Sequence, residues 1–164
     1  STTAQNMWSN FQETVKIYKQ GKAYYDALKS VHDLVKGARK VQQTILLVGD
    51  ISDIYVTNFN TMTGDPNFTV EELSAIAFGY NRLLKESSDL LLDLKEVTTA
   101  TGLSMTDKER LDIINRIYGE VLEYKNLTWY YTRKNIGVSY LRSKEKGDAA
   151  RVLSLYGTHE QRYW

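Results

Sequence analysis

The residue types that usually carry chemistry are sparse in this sequence. Its two histidines, His32 and His159, stand far apart, and His32 has no histidine or carboxylate four positions away, as a helical metal site would need. The absence of cysteine excludes disulfides, thiolate catalysis and Cys-ligated zinc. Neither a glycine-rich phosphate loop nor a Gly-x-Ser-x-Gly motif occurs. The sequence therefore predicts no catalytic residue, no cofactor-binding residue and no metal site.

Two carboxylate pairs are the remaining candidates for acid–base or metal chemistry. Glu71 and Glu72 are better explained by the start of a helix, where negative charge is favourable. Asp89 and Asp93 lie one turn apart on the predicted outer face of a helix. A di-metal site between helices would use Glu-x-x-His pairs, and the sequence contains none. We therefore expect a protein that is not an enzyme and needs no cofactor.

The most unusual segment runs from residue 126 to 156, where aromatic and basic residues alternate. Between Arg133 and Arg151 it has six basic and two acidic residues, a net charge of +4. Such a segment is typical of three things: a surface that contacts another protein, aromatic packing inside a bundle, or a stacking surface for single-stranded nucleic acid. Partner contact is the leading interpretation, and the predicted partner-binding residues are Trp129, Tyr130, Tyr131, Arg133, Lys134, Tyr140 and Arg142.

Composition agrees with a soluble globular chain. The 164 residues are 42% hydrophobic and 25% charged, and 21 basic against 20 acidic residues leave a net charge of +1. A general electrostatic attraction to nucleic acid or to an anionic membrane is therefore not indicated. Apolar runs such as Ile45–Val48 are far shorter than the roughly 20 residues of a membrane-spanning helix. We expect one domain, residues 1–164, without a transmembrane segment.

Apolar residues recur three or four positions apart along most of the chain, which predicts helices. We place these helices at about residues 4–36, 38–62, 70–101, 107–145 and 148–156. The first two are either continuous or separated by a kink at Gly37 or Gly49, and a strand over residues 44–54 is the lesser alternative. Short connections favour antiparallel neighbours. The predicted fold is all-α, an elongated antiparallel bundle of three to four long helices with a short C-terminal helix.

Two capping boxes locate helix starts directly. Thr69 is followed three residues later by Glu72, and Thr106 by Glu109, so each pair can satisfy backbone N–H groups that the first turn leaves unpaired. Residues 63–67, with the only proline of the chain, form a clear loop before the first of these boxes. Gly147 and Asp148 are predicted to be a helix break and a new N-cap.

Three blocks carry a resemblance to a known family. They are Asn-Met-Trp-Ser-Asn-Phe-Gln-Glu-Thr-Val at 6–15, Val-Gln-Gln-Thr-Ile-Leu-Leu-Val-Gly-Asp-Ile at 41–51, and the block from Asn126 to Arg142. Together they resemble conjugal transfer proteins encoded by the conjugative transposons of Bacteroides-type bacteria. The resemblance implies a TrbJ-like or minor-pilin-associated component of a type IV secretion apparatus, helical and acting by assembly.

From that resemblance we expect a non-enzymatic structural protein whose partners are other subunits of the secretion apparatus, with self-association as a further expectation. The start at Ser1 has no initiator methionine, as after removal of a signal peptide or of a tag, so a periplasmic or cell-envelope location is expected and a cytoplasmic one is the alternative. The alternative function is a helical nucleic-acid-binding accessory protein that uses residues 126–156.

Overall fold

The computed structural model describes residues 38–99 and 105–157, together with the single helical residue Lys16. Within these residues the chain forms four helices and no strand: α1 Ala38–Thr63, α2 Val70–Thr99, α3 Asp107–Lys146 and α4 Ala149–Tyr156. At 1.5 Å per residue, the three long helices measure about 39, 45 and 60 Å. The all-α prediction is confirmed, with three long helices and a short C-terminal one. The predicted helix over 4–36 and its junction at Gly37 lie outside the described residues.

The region of α1 that could have been a strand is helical throughout. Gly49 lies in the middle of α1, which is helical through this residue, so the strand over 44–54 does not occur. The physical reason is that the apolar positions of this segment keep a helical spacing. Val41, Ile45, Val48 and Ile51 are all buried against the other helices.

Both capping boxes are present. At the start of α2, the Glu72 N–H donates to Thr69 Oγ1 at 3.1 Å and the Thr69 N–H donates to Glu72 Oε1 at 3.1 Å. At the start of α3, the same pair of bonds joins Thr106 and Glu109, at 3.1 and 3.3 Å. These bonds fix the first turns of the two helices that form most of the surface described below.

The predicted break between α3 and α4 is also confirmed, with Gly147 ending α3 and Asp148 as the N-cap residue of α4. Gly147 has a left-handed φ of 76°, and the N–H groups of Gly147 and Asp148 donate to Lys144 O and Ser143 O, which closes the helix as a Schellman motif. Asp148 occupies the N-cap position of α4, yet its side chain makes no capping bond. It instead accepts from Arg151 Nε at 3.1 Å, because the arginine one turn later offers a charged donor.

Contacts along α2 and α3 establish that these helices run antiparallel. Near one end Arg110 Nη1 donates to Val97 O at 3.2 Å, and further along Tyr131 Oη donates to Ile76 O at 3.0 Å. The residue number thus rises on α3 as it falls on α2. This is the arrangement that the short connection favours.

Helix α1 completes the three-helix bundle and runs parallel to α3. Lys40 Nζ lies 4.1 Å from the ring centroid of Tyr118, and Asp50 accepts from Lys125 Nζ at 3.0 Å. The long helices therefore alternate up, down and up. The interior between them is filled by large, fully buried side chains: Val48, Ile51, Tyr55 and Met62 of α1, Tyr80, Leu84 and Leu94 of α2, and Ile114, Ile117, Val121 and Ile136 of α3.

The Tyr131 side chain of α3 packs directly against Gly79 of α2. A Cβ added to Gly79 would lie 2.5 Å from the ring carbon Cζ of Tyr131, far inside van der Waals contact. We expect Gly79→Ala to lower the free energy of unfolding by about 1–2 kcal/mol, because the overlap with the ring outweighs the gain of up to about 1 kcal/mol in helix propensity. Chemical denaturation followed by circular dichroism measures the difference.

Two variants make this expectation specific. Gly119 lies on α3 with nothing within 4 Å of an added Cβ, so Gly119→Ala should stabilise the protein or leave it unchanged. In a Tyr131→Ala background, Gly79→Ala should cease to be destabilising. If Gly79→Ala behaves like Gly119→Ala in the parent chain, the close approach of Tyr131 is wrong.

Candidate partner-binding surface

The second half of α3 buries small residues and exposes large apolar ones. Its buried positions from 128 onward are Thr128, Thr132, Ile136, Gly137, Ser139 and Ser143, only one of which is a large hydrophobe. On the opposite side Leu127 is 46% exposed, Tyr130 52%, Val138 38% and Leu141 55%. An ordinary amphipathic helix has the reverse arrangement. This stretch therefore turns its apolar side away from the bundle.

The exposed residues form one continuous face. Leu127, Tyr130, Lys134, Val138 and Leu141 are separated by three, four, four and three positions, a spacing that keeps them on one side of a helix. Lys134 Nζ lies 5.4 Å from the centroid of the Tyr130 ring, within the range of a cation–π contact. We call these five residues the outer stripe. It extends about 21 Å along the helix.

The buried side of this half of α3 is polar because it contacts polar groups of the loop before α2. Asp65 is only 2% exposed, and its carboxylate accepts from Ser139 Oγ at 2.5 Å and from Tyr156 Oη at 2.6 Å. Asn67 Nδ2 donates to Ser139 Oγ at 3.1 Å and to Ser143 Oγ at 2.5 Å. We call Asp65, Asn67, Ser139, Ser143 and Tyr156 the loop cluster.

The loop cluster joins three parts of the chain: the loop, α3 and α4. The Asn67 N–H also donates to Asp65 Oδ1 at 2.9 Å, which closes a short turn within the loop. Burial, and then the hydrogen bond to the Asp65 carboxylate, raise the pKa of Tyr156 above its usual value. Tyr156 therefore stays a neutral donor to the buried carboxylate. The need for hydroxyl partners explains why α3 presents serines here instead of leucines.

An ion pair beside this cluster holds the C-terminal half of α3 to the start of α2. Arg142 Nη1 and Nη2 contact the two carboxylate oxygens of Glu72 at 2.9 and 2.7 Å, and Nη1 also donates to Asn67 O at 2.6 Å. The hydrogen bonds from Arg142, and after them the bond from the Thr69 N–H, lower the pKa of Glu72 from 4.5 to about 2. The bidentate geometry is the strong form of such a pair.

A dependence of stability on pH follows from this pair. Because the pKa of Glu72 is lowered in the folded state, the stability that it contributes is present above pH 4.5 and is lost as the pH falls towards 2. We expect Glu72→Gln to cost about 1 kcal/mol at neutral pH, since both side chains are partly exposed, and the difference from the parent protein to vanish at low pH. Urea unfolding at a series of pH values measures it.

The control for this experiment is the second capping box. Glu109→Gln removes the same capping charge from α3, and glutamine can still complete the box in both variants. The comparison therefore isolates the arginine pair. A loss for Glu72→Gln that stays the same from neutral to low pH would contradict the assignment.

The structure separates the seven predicted partner-binding residues into two groups. Tyr131 and Arg142 are engaged within the chain: the Tyr131 ring lies edge-on to Tyr80 at 4.9 Å, and Arg142 holds Glu72. Tyr130, Arg133 and Lys134 are exposed on the outside of α3. The other two, Trp129 and Tyr140, are partly buried. The residues thus do not form one patch, although Tyr130 and Lys134 belong to the outer stripe.

Sequence reasoning missed the apolar members of the outer stripe, namely Leu127, Val138 and Leu141. Apolar residues spaced three and four apart on a helix normally lie on its buried side, so these three residues were not expected at a partner-binding surface. A signal was available, because Thr128, Thr132, Ser139 and Ser143 form a second series at helical spacing. Two competing faces on one helix indicate that the apolar one can point outward.

A shallow groove between α2 and α3 adjoins the outer stripe. Its volume is about 450 Å³, and it is lined by Leu90, Tyr124 and Leu127 and by the carboxylates Glu86, Asp89, Asp93, Glu120 and Glu123. We call it the acidic groove. Leu127 belongs to both the groove and the stripe, so the two surfaces are continuous.

The carboxylates of the acidic groove are not all neutralised. Arg82, Lys85 and Arg116 pair with Glu86, Asp89 and Glu120 along their own helices. Tyr124 also donates to Glu86, and this bond is the largest cause that lowers the pKa of the glutamate. Asp93 and Glu123, on opposite walls, have no ion-pair partner among the described residues. The groove therefore retains negative charge beside the side chains of Leu90, Tyr124 and Leu127.

No metal site is found among residues 38–99 and 105–157, where no three His, Asp or Glu side chains are placed to hold an ion. Asp89 and Asp93 are exposed side chains of α2 that line the acidic groove, and Asp89 accepts from Lys85 Nζ at 2.8 Å. His32 and His159 lie outside the described residues. The expected absence of a cofactor stays a prediction.

The fold and the surface together define an all-helical bundle with an apolar face turned to solvent. The chain matches no protein-family model, no curated protein and no solved structure. None of the helices in the described part of the chain is long and apolar enough to span a bilayer.

Proposed function

We propose that this protein is a non-enzymatic assembly component that binds another protein subunit through the outer stripe of α3. The observation that supports the proposal is the reversed amphipathicity of residues 127–143. Four large apolar side chains face solvent there, while the side chains that face the bundle are threonines and serines apart from Ile136. Contiguous exposed apolar surface of this kind marks a site of interaction.

The stripe has the composition of an interface core. Tyrosine and leucine lie along its length, and its one charged member, Lys134, rests over the ring of Tyr130. Tyrosine is enriched among residues that dominate binding energy, because it contributes a large rigid surface at low entropic cost. Arg133 is exposed one position before Lys134 and supplies a polar rim.

The setting that we propose is a conjugative type IV secretion apparatus, in the periplasm or at the pilus. This part of the proposal is supported by the resemblance of residues 6–15, 41–51 and 126–142 to conjugal transfer proteins. In that setting the partner is another subunit of the apparatus.

The nucleic-acid alternative receives less support from the described contacts. Three of the six basic residues between 133 and 151 have partners within the chain: Arg142 on Glu72, Lys146 on Asn67 and Arg151 on Asp148. Of the aromatic side chains, Tyr131 and Tyr156 donate hydrogen bonds inside the bundle. A stacking surface would need these groups to be accessible.

Site-specific photo-crosslinking in the native cell tests the proposal. A crosslinking amino acid at Tyr130 or Leu141 should give a covalent adduct with a subunit of the secretion apparatus, identified by mass spectrometry. Asp53, exposed on α1, is the matched control position and should give none. Replacing Tyr130 and Leu141 by glutamine should weaken the complex about 30-fold or more, as expected for residues at the centre of an interface.

These variants should fold normally, because substitutions at exposed positions change stability by about 0.5 kcal/mol or less. Unchanged helicity and an unchanged unfolding midpoint would show this. Crosslinks only to nucleic acid would favour the alternative function. Equal crosslinking at residues 130, 141 and 53 would contradict the docking face.

A further inference from the structure

The outer stripe and the acidic groove share Leu127 and therefore present one surface to a partner. Toward its carboxyl-terminal end, the members of the outer stripe between residues 127 and 141 are apolar apart from Lys134. At its amino-terminal end the groove adds Asp93 and Glu123 on opposite walls, and neither carboxylate has an ion-pair partner within residues 38–99 and 105–157. In this described part of the chain, no basic side chain lines the groove. A segment lying along the surface would thus contact apolar side chains over most of its length and negative charge at the end beside Asp93 and Glu123.

We infer that the occupant of this surface is an amphipathic helix of a partner protein whose apolar face covers the outer stripe and whose lysine or arginine residues at one end enter the acidic groove. The inference rests on the proposed function and adds the chemistry of the partner. A helix lying in a shallow apolar channel is a recurrent mode of recognition, read by residues spaced three and four apart. The stripe has that spacing over about four turns.

A second copy of this chain fits the surface less well, because like charges would meet. If two outer stripes packed antiparallel about Lys134, Leu127 would meet Leu141 and Tyr130 would meet Val138. Lys134 would then oppose Lys134 of the other copy. Glu123, lying on the same side of the helix, would oppose Glu145. Like charges brought together at an interface cost several kcal/mol and reject the wrong partner.

The basic residues of this surface also predict the charge at the centre of the partner helix. Arg133 and Lys134 lie near the centre of the stripe, so an aspartate or glutamate of the partner is expected opposite them. The complementary segment is therefore basic at the end beside Asp93 and Glu123, acidic near its middle and apolar along one face. Such charges contribute more to partner choice and association rate than to affinity.

Two synthetic helical peptides test the inference. Each has about 18 residues, or five turns, with leucines at helical spacing on one face and one central glutamate. They differ only at one end, which carries three lysines in one peptide and three glutamates in the other. We expect the lysine-ended peptide to bind about tenfold more tightly at low salt, measured by fluorescence anisotropy on the full chain. The difference should shrink at about 1 M salt, where charges are screened within roughly 3 Å.

Variants of the protein locate the binding. Asp93→Asn with Glu123→Gln should remove the preference for the lysine-ended peptide, whereas Asp53→Asn with Asp107→Asn changes the net charge equally at exposed positions outside the groove and should keep it. Tyr130→Gln with Leu141→Gln should weaken both peptides. This pattern would support the inference.

Other outcomes overturn it in distinguishable ways. A preference that survives the Asp93 and Glu123 substitutions, or equal binding of the two peptides, refutes the basic partner while the crosslinking result for the outer stripe still stands. Failure of both peptides to bind also refutes it. A concentration-dependent dimer that the Tyr130 and Leu141 substitutions abolish would identify a second copy as the occupant instead.

Discussion

A Tyr80→Ala variant is expected to unfold with a free energy about 3–5 kcal/mol lower than that of the parent protein. Tyr80 is 1% exposed and stacks on Tyr55 with 4.6 Å between ring centroids and 6° between planes. Its hydroxyl lies 2.6 Å from Thr132 Oγ1, which in turn donates to Thr128 O at 2.8 Å. The side chain thus fills the space between all three long helices.

Desolvation of the hydroxyl raises the pKa of Tyr80 above its usual value, so the residue remains a neutral donor at any ordinary pH. Its removal therefore costs packing together with a buried hydrogen bond. Tyr80→Phe separates the two parts, with an expected loss of about 1 kcal/mol for the hydroxyl alone. Denaturant unfolding measures both losses. An unchanged slope of the free energy of unfolding against denaturant concentration would show that only stability has changed.

The matched control for Tyr80→Ala is Tyr130→Ala, because the same side chain is there removed from the solvent-facing side of α3. A change of about 0.5 kcal/mol or less is expected for it. If the two alanine variants were equally stable, the placement of Tyr80 at the centre of the bundle would be wrong.

An Asp65→Ala variant is expected to lose about 3 kcal/mol or more. The substitution leaves the Ser139 hydroxyl, the Tyr156 hydroxyl and the Asn67 N–H without their common acceptor. A buried donor that loses its partner costs about 1–3 kcal/mol, and losses within one network do not simply add. The effect should be large because one carboxylate joins the loop, α3 and α4.

The loss of stability in Asp65→Ala should be greatest in α4. Hydrogen exchange in α4 should accelerate in Asp65→Ala, because Tyr156 is the contact that holds the end of this helix to the loop. Asp65→Asn keeps one acceptor oxygen and should lose less. A double-mutant cycle with Tyr156→Phe measures the coupling directly. Asp53→Ala, at an exposed carboxylate of α1, is the matched control, and an equal effect of both alanine variants would contradict the loop cluster.

Helix starts could be predicted to the residue because their cause is local. The capping boxes at Thr69 and Thr106 depend only on side chains three positions apart, and both formed as expected. The same holds for the end of α3, where only glycine adopts the left-handed conformation of Gly147 without strain.

The candidate surface was predictable only in part. The segment after Asn126 is predicted to contact a partner, and Tyr130, Arg133 and Lys134 of this segment are exposed. Arg142 was assigned to the same surface, but its nearest charge is Glu72, 70 positions earlier in the chain. Neither spacing nor composition can reveal a partner at that distance in sequence.

The sequence by itself determined the class of fold, the helix boundaries and the lack of a recognisable catalytic motif, because periodicity, caps and motifs are short-range properties. Only the tertiary structure decided which side of α3 faces inward. The buried Asp65 and Asn67 require hydroxyl partners, and satisfying them turns Ser139 and Ser143 to the inside. Leu127, Tyr130, Val138 and Leu141 then face solvent, since a helix that buries one side must expose the other.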